Sequence, residues 1–507
     1  MTFSRRDDRS PSLINTFPDQ GSKITPLIKS ICVKDNSPIQ LFKKGNWKNH
    51  AFLLEGSPGG WFAGRFSLWG GEPFAVFRSK GDCSRFDYFE EGRELSFISS
   101  GDPLSNLQTW LNRFLPLSPP EALSTDIPFL SGGVVGFFSY DLVRQFEKIS
   151  PPSQPESTLP DIYLLFLNHF VVFDHAEKKT HIVYHPFPEM QMGRTAETAY
   201  RKGEEKIEEI QKNLEGSLSE NETDDSHSSF HLQPDISPET YIRMVKRAKQ
   251  YIAAGDIFQA NLSHRFTTLA SPSPFKIYQR LREINPSPFA AYLNLGNIEI
   301  ASGSPERLVR LQNAPEKRLI ETRPIAGTRP RGKNLMEEEK MIRQLYESEK
   351  ERAEHLMLVD LERNDLGKIC RYGSVHVDSL MALEKYSHVL HLVSQITGEL
   401  KPEVSSVQVI KALFPGGTIT GVPKIRCMQI ISELEKTARG IYTGAIGYLT
   451  FSGEIDLNIA IRTWVRHNNA MTFQVGAGIV TDSDPELEYQ ETLQKAAALM
   501  SALRAPS

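Results

Sequence analysis

The sequence contains little cysteine, and its cysteines form no recognisable motif. Cys32, Cys83, Cys370 and Cys427 are the only four in 507 residues, and each stands far from the others. This distribution lacks the paired spacing of a zinc site and the density of a disulfide scaffold. It is typical of a protein in a reducing compartment, and we expect a cytoplasmic location.

Long apolar runs, clusters of basic residues and a secretory signal are also missing. The most apolar stretch, Ile162 to Phe173, is too short to span a bilayer, and its aromatic and β-branched residues predict one buried strand. The N-terminal MTFSRRDDRSPS is not followed by an apolar segment. The formal net charge is -4, and lysine and arginine are spread along the chain. We therefore expect neither a nucleic-acid partner nor a membrane association.

Composition divides the chain into four parts. Residues 1–25 are polar and contain proline, which predicts a flexible arm. Residues 26–215 contain short apolar runs broken by glycine and proline, the pattern of a β-rich region. Residues 216–236 include the acidic, serine-rich GSLSENETDDSHSS and are predicted to form a linker. Residues 237–507 open with a helix start at Ser237 and form a second predicted domain.

Strands and helices alternate in this second domain. The segments NIEIASGS, GAIGYLTF, IDLNIAIRTWV and MTFQVGAGIV read as strands, several of them joined by tight turns that contain glycine. Charged helices are predicted from Glu337 to Leu361, from Pro423 to Glu435 and from Pro485 to Leu503. The sequence therefore predicts an α+β fold of layers, in which large, mostly antiparallel sheets are flanked by helices.

Two of these helices carry pairs of carboxylates three residues apart. Glu351 and Glu354 share one helix face, as do Glu488 and Glu491, and Lys495 follows one turn after Glu491. Clustered carboxylates without histidine or cysteine suit Mg²⁺. On spacing alone, however, the commoner explanation is the solvated face of a charged helix.

Glycine marks two further candidate binding segments. In ETRPIAGTRPRGK, the amides near Gly327 and the hydroxyl of Thr328 suit an anion, although an ordinary surface turn has the same composition. In MTFQVGAGIV, Gly476 and Gly478 lie within a strand, where glycine often marks the close approach of a ligand or of another backbone. A bulge without a ligand explains the second segment equally well.

Arg462 and His391 are single candidates within apolar segments. In IDLNIAIRTWV, alternation places Asp456, Asn458 and Arg462 on one face of a strand. The guanidinium could bind a carboxylate, although an ion pair with Asp456 is the commoner role. His391, in HVLHLVS, has the setting of a hydrogen-bonded core histidine. None of these patterns alone names a reaction.

Taken together, eight motifs resemble one family. PIAGTRPRG, AEHLMLVDLERNDLG, EKYSHVLHLVS, FPGGTITGVPKIR, GAIGYLTF, IAIRT, QVGAGIVTDSDP and EYQETLQKA occur in the order found in the chorismate-utilising enzymes. These comprise anthranilate synthase component I and aminodeoxychorismate synthase component I, with isochorismate and salicylate synthases as more distant relatives. The resemblance begins at about residue 40, is densest from Gly255 to Ala498, and implies the layered fold of anthranilate synthase.

The resemblance implies roles for individual residues. Glu354 and Glu491 resemble the family's Mg²⁺ ligands, with Glu351 and Glu488 in support. Glu306, His391 and Thr418 resemble its catalytic residues, with Glu306 as a general acid or base. The positions that resemble its substrate-binding residues are Gly327, Thr328, Tyr442, Arg462, Gly476, Ala477, Gly478 and Lys495. Pro288, Phe289 and Ala290 resemble part of a tryptophan pocket, which serves feedback inhibition in one group and holds a buried structural ligand in the other. The segment LLEGS at residues 53–57, in the N-terminal half, differs from the family's usual LLES.

The implied function is the Mg²⁺-dependent amination of chorismate. None of the four cysteines has the Gly-flanked turn and histidine partner of a glutaminase, so a separate glutamine amidotransferase is expected to supply ammonia. Ala326 stands where many aminodeoxychorismate synthases have a lysine, which favours anthranilate and pyruvate as products. GDIFQANLSHRF and FPGGTITGVPK instead favour aminodeoxychorismate synthase. A non-catalytic tryptophan-binding regulator is a third hypothesis, disfavoured by the intact set of site residues.

Overall fold

The computed structural model describes residues 24–33, 37–45, 47, 50–57, 60–90, 93–114, 127–153, 157–216, 231–269, 272–386 and 389–503. Residues 1–23 of the predicted arm and residues 217–230 of the predicted linker lie outside this part of the chain.

The strands supply both sheets of the molecule. In chain order they are β1 Leu27–Ile31, β2 Ala51–Gly56, β3 Phe66–Gly70, β4 Ala75–Lys80, β5 Cys83–Glu90, β6 Arg93–Ser100, β7 Gly133–Phe138, β8 Ile162–Leu167, β9 His169–Asp174, β10 Lys179–Tyr184, β11 Gln233–Pro234, β12 Gln259–Thr268, β13 Phe289–Asn294, β14 Ile298–Ser304, β15 Arg307–Ala314, β16 Lys317–Thr322, β17 Ile325–Pro330, β18 His376–Lys385, β19 Val389–Glu399, β20 Gly421–Val422, β21 Ala445–Thr450, β22 Ile455–Ile459, β23 Thr463–His467 and β24 Ala470–Ile479.

The helices lie outside the sheets. They are α1 Pro38–Lys44, α2 Pro103–Arg113, α3 Phe187–Gln191, α4 Ala196–Glu215, α5 Pro238–Ala253, α6 Pro274–Ile284, α7 Leu335–Glu347, α8 Glu349–Ile369, α9 Ser406–Leu413, α10 Lys424–Leu434 and α11 Pro485–Ser501. Within the described ranges, no helix is long and apolar enough to cross a membrane.

Two twelve-stranded antiparallel sheets form the centre of the fold. The first has the order β1-β10-β9-β3-β2-β13-β14-β23-β24-β12-β11, with β20 paired to β12. The second has the order β17-β19-β16-β15-β22-β21-β7-β8-β4-β5-β6, with β18 paired to β19. Each sheet contains strands from both predicted domains, so hydrogen-bonded ladders such as β2 with β13 cross the predicted division.

Apolar side chains fill three layers of packing. One core cluster joins the inner faces of the two sheets, through strands such as β2 and β9 on one side and β7 and β8 on the other. A second lies between the first sheet and α1, α4, α6 and α11. A third lies between the second sheet and α2, α8 and α9. The prediction of an α+β fold with large antiparallel sheets flanked by helices is confirmed.

Two predicted elements are each two elements in the structure. The run Ile162 to Phe173 is buried throughout, but Asn168 separates β8 of the second sheet from β9 of the first. The predicted helix Glu337–Leu361 is interrupted at Ser348, whose side chain accepts a hydrogen bond from the Glu351 amide and caps α8. An apolar period shows that residues are buried, but it does not show that one element continues.

Candidate functional site

Two adjacent strand crossings place Glu306 next to Arg462. Glu306 joins β14 of the first sheet to β15 of the second, and Arg462 ends the link from β22 back to β23. Because β14 pairs with β23 and β15 with β22, both crossings occur at one point. Backbone hydrogen bonds from the Ile459 amide to the Glu306 carbonyl and from the Gly303 amide to the Arg462 carbonyl, each 3.0 Å, join them.

The predicted strand IDLNIAIRTWV is therefore wrong as a single strand. It bends at Arg462, whose φ of 50° lies in the left-handed region. Arg462 does not pair with Asp456. Both carboxylate oxygens of Asp456 instead accept hydrogen bonds from Arg307, at 3.0 and 3.3 Å. The Arg462 guanidinium remains at the crossing, where it donates a long hydrogen bond of 3.3 Å to Asn285 Oδ1.

A cleft opens at this crossing. It is lined by Asn285, Pro286, Ser287, Pro288, Pro305, Tyr386, Val389, His391 and Arg462. It thus brings together two residues whose predicted roles concern the substrate, Arg462 and His391. It also includes Pro288, which was predicted to belong to a tryptophan pocket.

Glu306 has the properties of a general acid at neutral pH. The residue is 5% exposed. Burial raises the pKa of this carboxyl to about 8. The nearby Glu362 also raises this pKa, whereas Thr418 and Arg462 lower it. The Ile325 amide approaches its Oε1 at 3.4 Å, and the buried hydroxyl of Thr418 lies beside it without forming a hydrogen bond of regular geometry. Glu306 is therefore mostly protonated at neutral pH and can donate a proton.

His391 and Thr328 lie opposite each other on neighbouring strands. A bulge in β17 places Thr328 opposite His391 of β19, with Oγ1 2.9 Å from Nδ1. Gly327 forms the bulge with φ 80°, and a side chain there would lie 2.9 Å from Leu345 Cδ1. Burial and the nearby Arg462 lower the pKa of His391 to about 4, so its imidazole is neutral at pH 7.

The first predicted carboxylate pair spans the gap between the two sheets. Glu351 lies beside Gly327 of the second sheet, and its Oε1 accepts a hydrogen bond of 2.6 Å from Arg329. Its Oε2 is buried and has no hydrogen-bond partner. Glu354, one turn further along α8, lies 3.4 Å from the position of a Cβ on Gly478 in the first sheet. This face of α8 therefore points into the site.

The second predicted pair has two different surroundings. Glu488 is 6% exposed and accepts a hydrogen bond of 2.6 Å from Ser483 Oγ. Glu491 is half exposed and forms an ion pair of 2.8 Å with Lys495. Lys495 also donates a hydrogen bond of 3.0 Å to the Gly476 carbonyl. Glu491 and Lys495 thus lie beside β24, whereas Glu488 is bonded to Ser483 in the loop that precedes α11.

The remaining predicted substrate-binding residues surround β24. A Cβ atom on Gly476 would lie 2.9 Å from the Tyr442 hydroxyl oxygen, so the missing side chain lets the phenol approach β24 closely. The guanidinium of Arg439 packs over the Tyr442 ring, 5.7 Å from the ring centroid, in a cation–π contact. The side chain of Ala477 belongs to the core cluster on the other side of the sheet, so only its backbone faces the site.

Sequence reasoning missed Glu362, which lies near Glu306. Burial and the neighbouring Asp365 raise the pKa of Glu362 to about 7, while Lys424 opposes the rise. The residues of α8 that are buried recur with the helical period, and Glu362 falls among them, between Val359 and Leu366. A carboxylate at a core position of a helix was the signal that could have found it.

Trp61 covers the residues predicted to form a tryptophan pocket. Its indole is fully buried, donates a hydrogen bond of 3.1 Å to the Ala290 carbonyl, and meets the Phe289 ring edge to face at 4.9 Å. Its backbone amide donates a hydrogen bond to the Pro288 carbonyl at 3.3 Å. The chain's own indole therefore occupies the space beside the three residues that were predicted to belong to a tryptophan pocket.

Free tryptophan is accordingly expected not to stabilise the wild-type protein. Trp61→Ala should lower the free energy of unfolding by about 3–5 kcal/mol, and added tryptophan should restore part of the loss by filling the cavity. Thermal unfolding with and without tryptophan measures both effects. Trp69→Ala, which also removes a fully buried indole, is the control that tryptophan should not rescue. Equal stabilisation of the wild type would contradict this occupancy.

Comparison with known proteins assigns the family. The model for chorismate binding enzyme matches residues 68–501. The chain belongs to this family. It is 41% identical over 479 residues to aminodeoxychorismate synthase component 1 of Bacillus subtilis (strain 168), covering 94% of this chain and 97% of that protein. It is 38% identical over 488 residues to anthranilate synthase component 1 of Acetivibrio thermocellus, covering 95% of each.

A solved structure agrees with this assignment. Anthranilate synthase component I from Streptococcus pneumoniae TIGR4 superposes with a TM-score of 0.72 at 34% identity, covering 92% of this chain and 99% of that one. The predicted family resemblance is confirmed. Since both component 1 groups are among the similar proteins, this chorismate binding enzyme is of the anthranilate and aminodeoxychorismate synthase type.

Proposed function

We propose that this enzyme aminates chorismate with ammonia in a Mg²⁺-dependent reaction that yields anthranilate and pyruvate. The observation that carries the proposal is the double strand crossing, which sets the carboxyl of Glu306 beside the guanidinium of Arg462, and Arg462 lines a cleft together with His391. The site thus offers an acid, a cation and a neutral imidazole. These suit a substrate with two carboxylates and a hydroxyl leaving group.

Each of these groups has a part in the proposed reaction. Arg462 binds a substrate carboxylate, since a planar guanidinium matches carboxylate geometry. Glu306 donates a proton to the departing hydroxyl, because its raised pKa keeps it protonated at neutral pH. His391 is neutral and donates or accepts one hydrogen bond without adding charge.

The carboxylates facing the site suit Mg²⁺ when substrate and water complete the coordination. Among the described residues, no three His, Cys, Asp or Glu side chains form a metal-binding group. Mg²⁺ commonly uses one or two carboxylates and keeps several waters. Glu354 and Glu491 are proposed to hold it, with Glu351 and Glu488 in support, and the unpartnered Glu351 Oε2 is an oxygen available for this. The ion would neutralise the ring carboxylate and the charge that develops on the leaving oxygen.

Ammonia is proposed to come from a separate glutamine amidotransferase. Burial raises the pKa of Cys370 to about 11 and that of Cys427 to about 12, so neither forms a thiolate nucleophile at neutral pH. Cys32 and Cys83 are exposed and lack the setting of a catalytic turn. Free ammonium at alkaline pH should replace the partner in an assay.

Aminodeoxychorismate is the second candidate product. It is favoured by the relative from Bacillus subtilis, an aminodeoxychorismate synthase component 1 that is 41% identical. Against it stands Ala326, a buried residue of β17 whose methyl group offers no nucleophile beside Thr328 and His391. With no lysine at this position, direct attack of ammonia at C2 is the simplest route.

The products formed from chorismate decide between the two candidates. Purified protein with chorismate, Mg²⁺ and ammonium at alkaline pH is expected to release anthranilate and pyruvate, detected by chromatography with fluorescence. A product that added lyase converts to 4-aminobenzoate would establish the second candidate instead. Ala326→Lys is expected to slow the reaction or change the product ratio, and an unchanged profile would remove the argument from Ala326.

A further inference from the structure

Strand β12 presents two amide side chains to the site. Gln259 and Asn261 alternate along β12, so their side chains share one face of the sheet. Asn261 lies directly opposite Gly478 on β24, and Gly476 lies two residues further along. Because these two glycines have no side chains, the two amides can approach the backbone of β24 closely.

Asn261 lacks a hydrogen-bond donor where one is needed. Its Oδ1 is buried and has no partner. A Cβ atom on Gly476 would lie 2.7 Å from this oxygen and 2.9 Å from the hydroxyl oxygen of Tyr442. The amide oxygen and the phenol oxygen therefore both pack closely above Gly476.

Gln259 shows the same deficit, and its orientation is defined. The residue is 2% exposed, and its Nε2 donates a hydrogen bond of 2.7 Å to Glu354 Oε1. A carboxylate only accepts hydrogen bonds, so the amide cannot be flipped without losing this bond. Its Oε1 remains buried without a partner. Buried acceptors normally have donors, so two deficits on one strand face indicate a ligand that donates.

The chemistry of the two amide oxygens limits which kinds of ligand can bind them. Substrate carboxylates carry no hydrogen to donate, and Mg²⁺ prefers anionic carboxylates to amide oxygens. Under the proposed function, on which this step rests, the remaining donors are a substrate hydroxyl, with one hydrogen, and ammonia, with three. Of these two donors, only ammonia has enough hydrogens to serve both amide oxygens. We propose that Asn261 and Gln259 form the ammonia-binding site, holding the nucleophile beside Gly476.

Steady-state kinetics with ammonium as the nitrogen source test this assignment. Asn261→Leu is expected to raise KM for ammonia about tenfold, the effect of one lost hydrogen bond, with KM for chorismate and the Mg²⁺ requirement changed less than about twofold. Asn261→Asp keeps an acceptor oxygen and should restore a KM for ammonia near the wild-type value. Asn112→Leu, the same change at an exposed position of α2, is the control.

Two results would overturn the ammonia site. One is an unchanged KM for ammonia in Asn261→Leu. The other is a selective rise in KM for chorismate, which would assign the oxygen to the substrate hydroxyl. A binding measurement separates this inference from the proposed function. Ammonium chloride, compared with sodium chloride at the same concentration, should raise the Tm of the wild type and not that of Asn261→Leu, even if the wild type leaves chorismate unchanged.

Discussion

Glu306→Gln is expected to lower kcat for chorismate turnover with ammonium by about 10²–10⁴-fold, the usual contribution of a general acid. Glutamine has nearly the same shape, so the fold should be retained, but it has no acidic proton for the leaving hydroxyl. The loss should remain at saturating chorismate, because the proposed role concerns the chemical step and not binding.

The pH dependence of the reaction rate tests whether Glu306 acts as a general acid. Burial raises the pKa of Glu306 to about 8, so the wild-type rate should fall as pH rises through this value and the acid is lost. The free ammonia concentration must be held constant across the series. Glu306→Gln should lack this limb of the profile. Glu454→Gln is a matched control, since burial also raises the pKa of that carboxyl but it precedes β22, at the end of the strand away from the crossing. A Glu306→Gln variant within tenfold of the wild type would show that another group supplies the proton.

Glu354→Gln is expected to lower turnover by at least about 10²–10³-fold, the effect of losing several kcal/mol of charge stabilisation by the metal. Glutamine keeps the size of the side chain but removes the negative charge. In the wild type, Gln259 Nε2 donates a hydrogen bond of 2.7 Å to Glu354 Oε1, and in the variant a neutral amide would take the place of this carboxylate acceptor. Glu491→Gln should cause a comparable loss, because Mg²⁺ is proposed to need both carboxylates.

A direct measurement of Mg²⁺ binding separates metal loss from other causes. Calorimetric titration should show weaker Mg²⁺ binding in Glu354→Gln, and high Mg²⁺ should restore part of its activity. Glu349→Gln removes one charge from the first, exposed turn of the same helix and should behave like the wild type. Near-normal activity in either Glu354→Gln or Glu491→Gln would contradict the proposal that these two carboxylates hold Mg²⁺.

Much of the fold was predictable from pattern alone. Alternating apolar residues and glycine-containing turns predicted antiparallel strands, and the helical period predicted α5, α10 and α11 close to their observed bounds. The predictions failed where one apolar run serves two sheets, as at Asn168 and at Arg462. A strand leaving one sheet for another is buried on both sides of the change, so burial pattern shows no boundary there.

The prediction of the site residues depended more on the resemblance to the family than on helical spacing or strand alternation. Spacing placed Glu351 and Glu354 on one helix face, and the structure shows that this face points towards Gly327 and Gly478. The same spacing did not distinguish Glu488, which is bonded to Ser483, from Glu491, which pairs with Lys495 beside β24. Helical periodicity defines a direction around one axis, whereas the neighbours along that direction come from other parts of the chain.

By itself, the sequence determined the α+β class, the helix faces and, through ordered motifs, the family. The tertiary structure alone decided that Glu306 and Arg462 are neighbours, because strand pairing brings together crossings that are 156 positions apart in the numbering. It also decided that Trp61 covers Pro288, Phe289 and Ala290, and that Asn261 faces Gly478. Periodicity reports how each segment is buried, but only long-range strand pairing sets which segments meet and therefore which charges share a cleft.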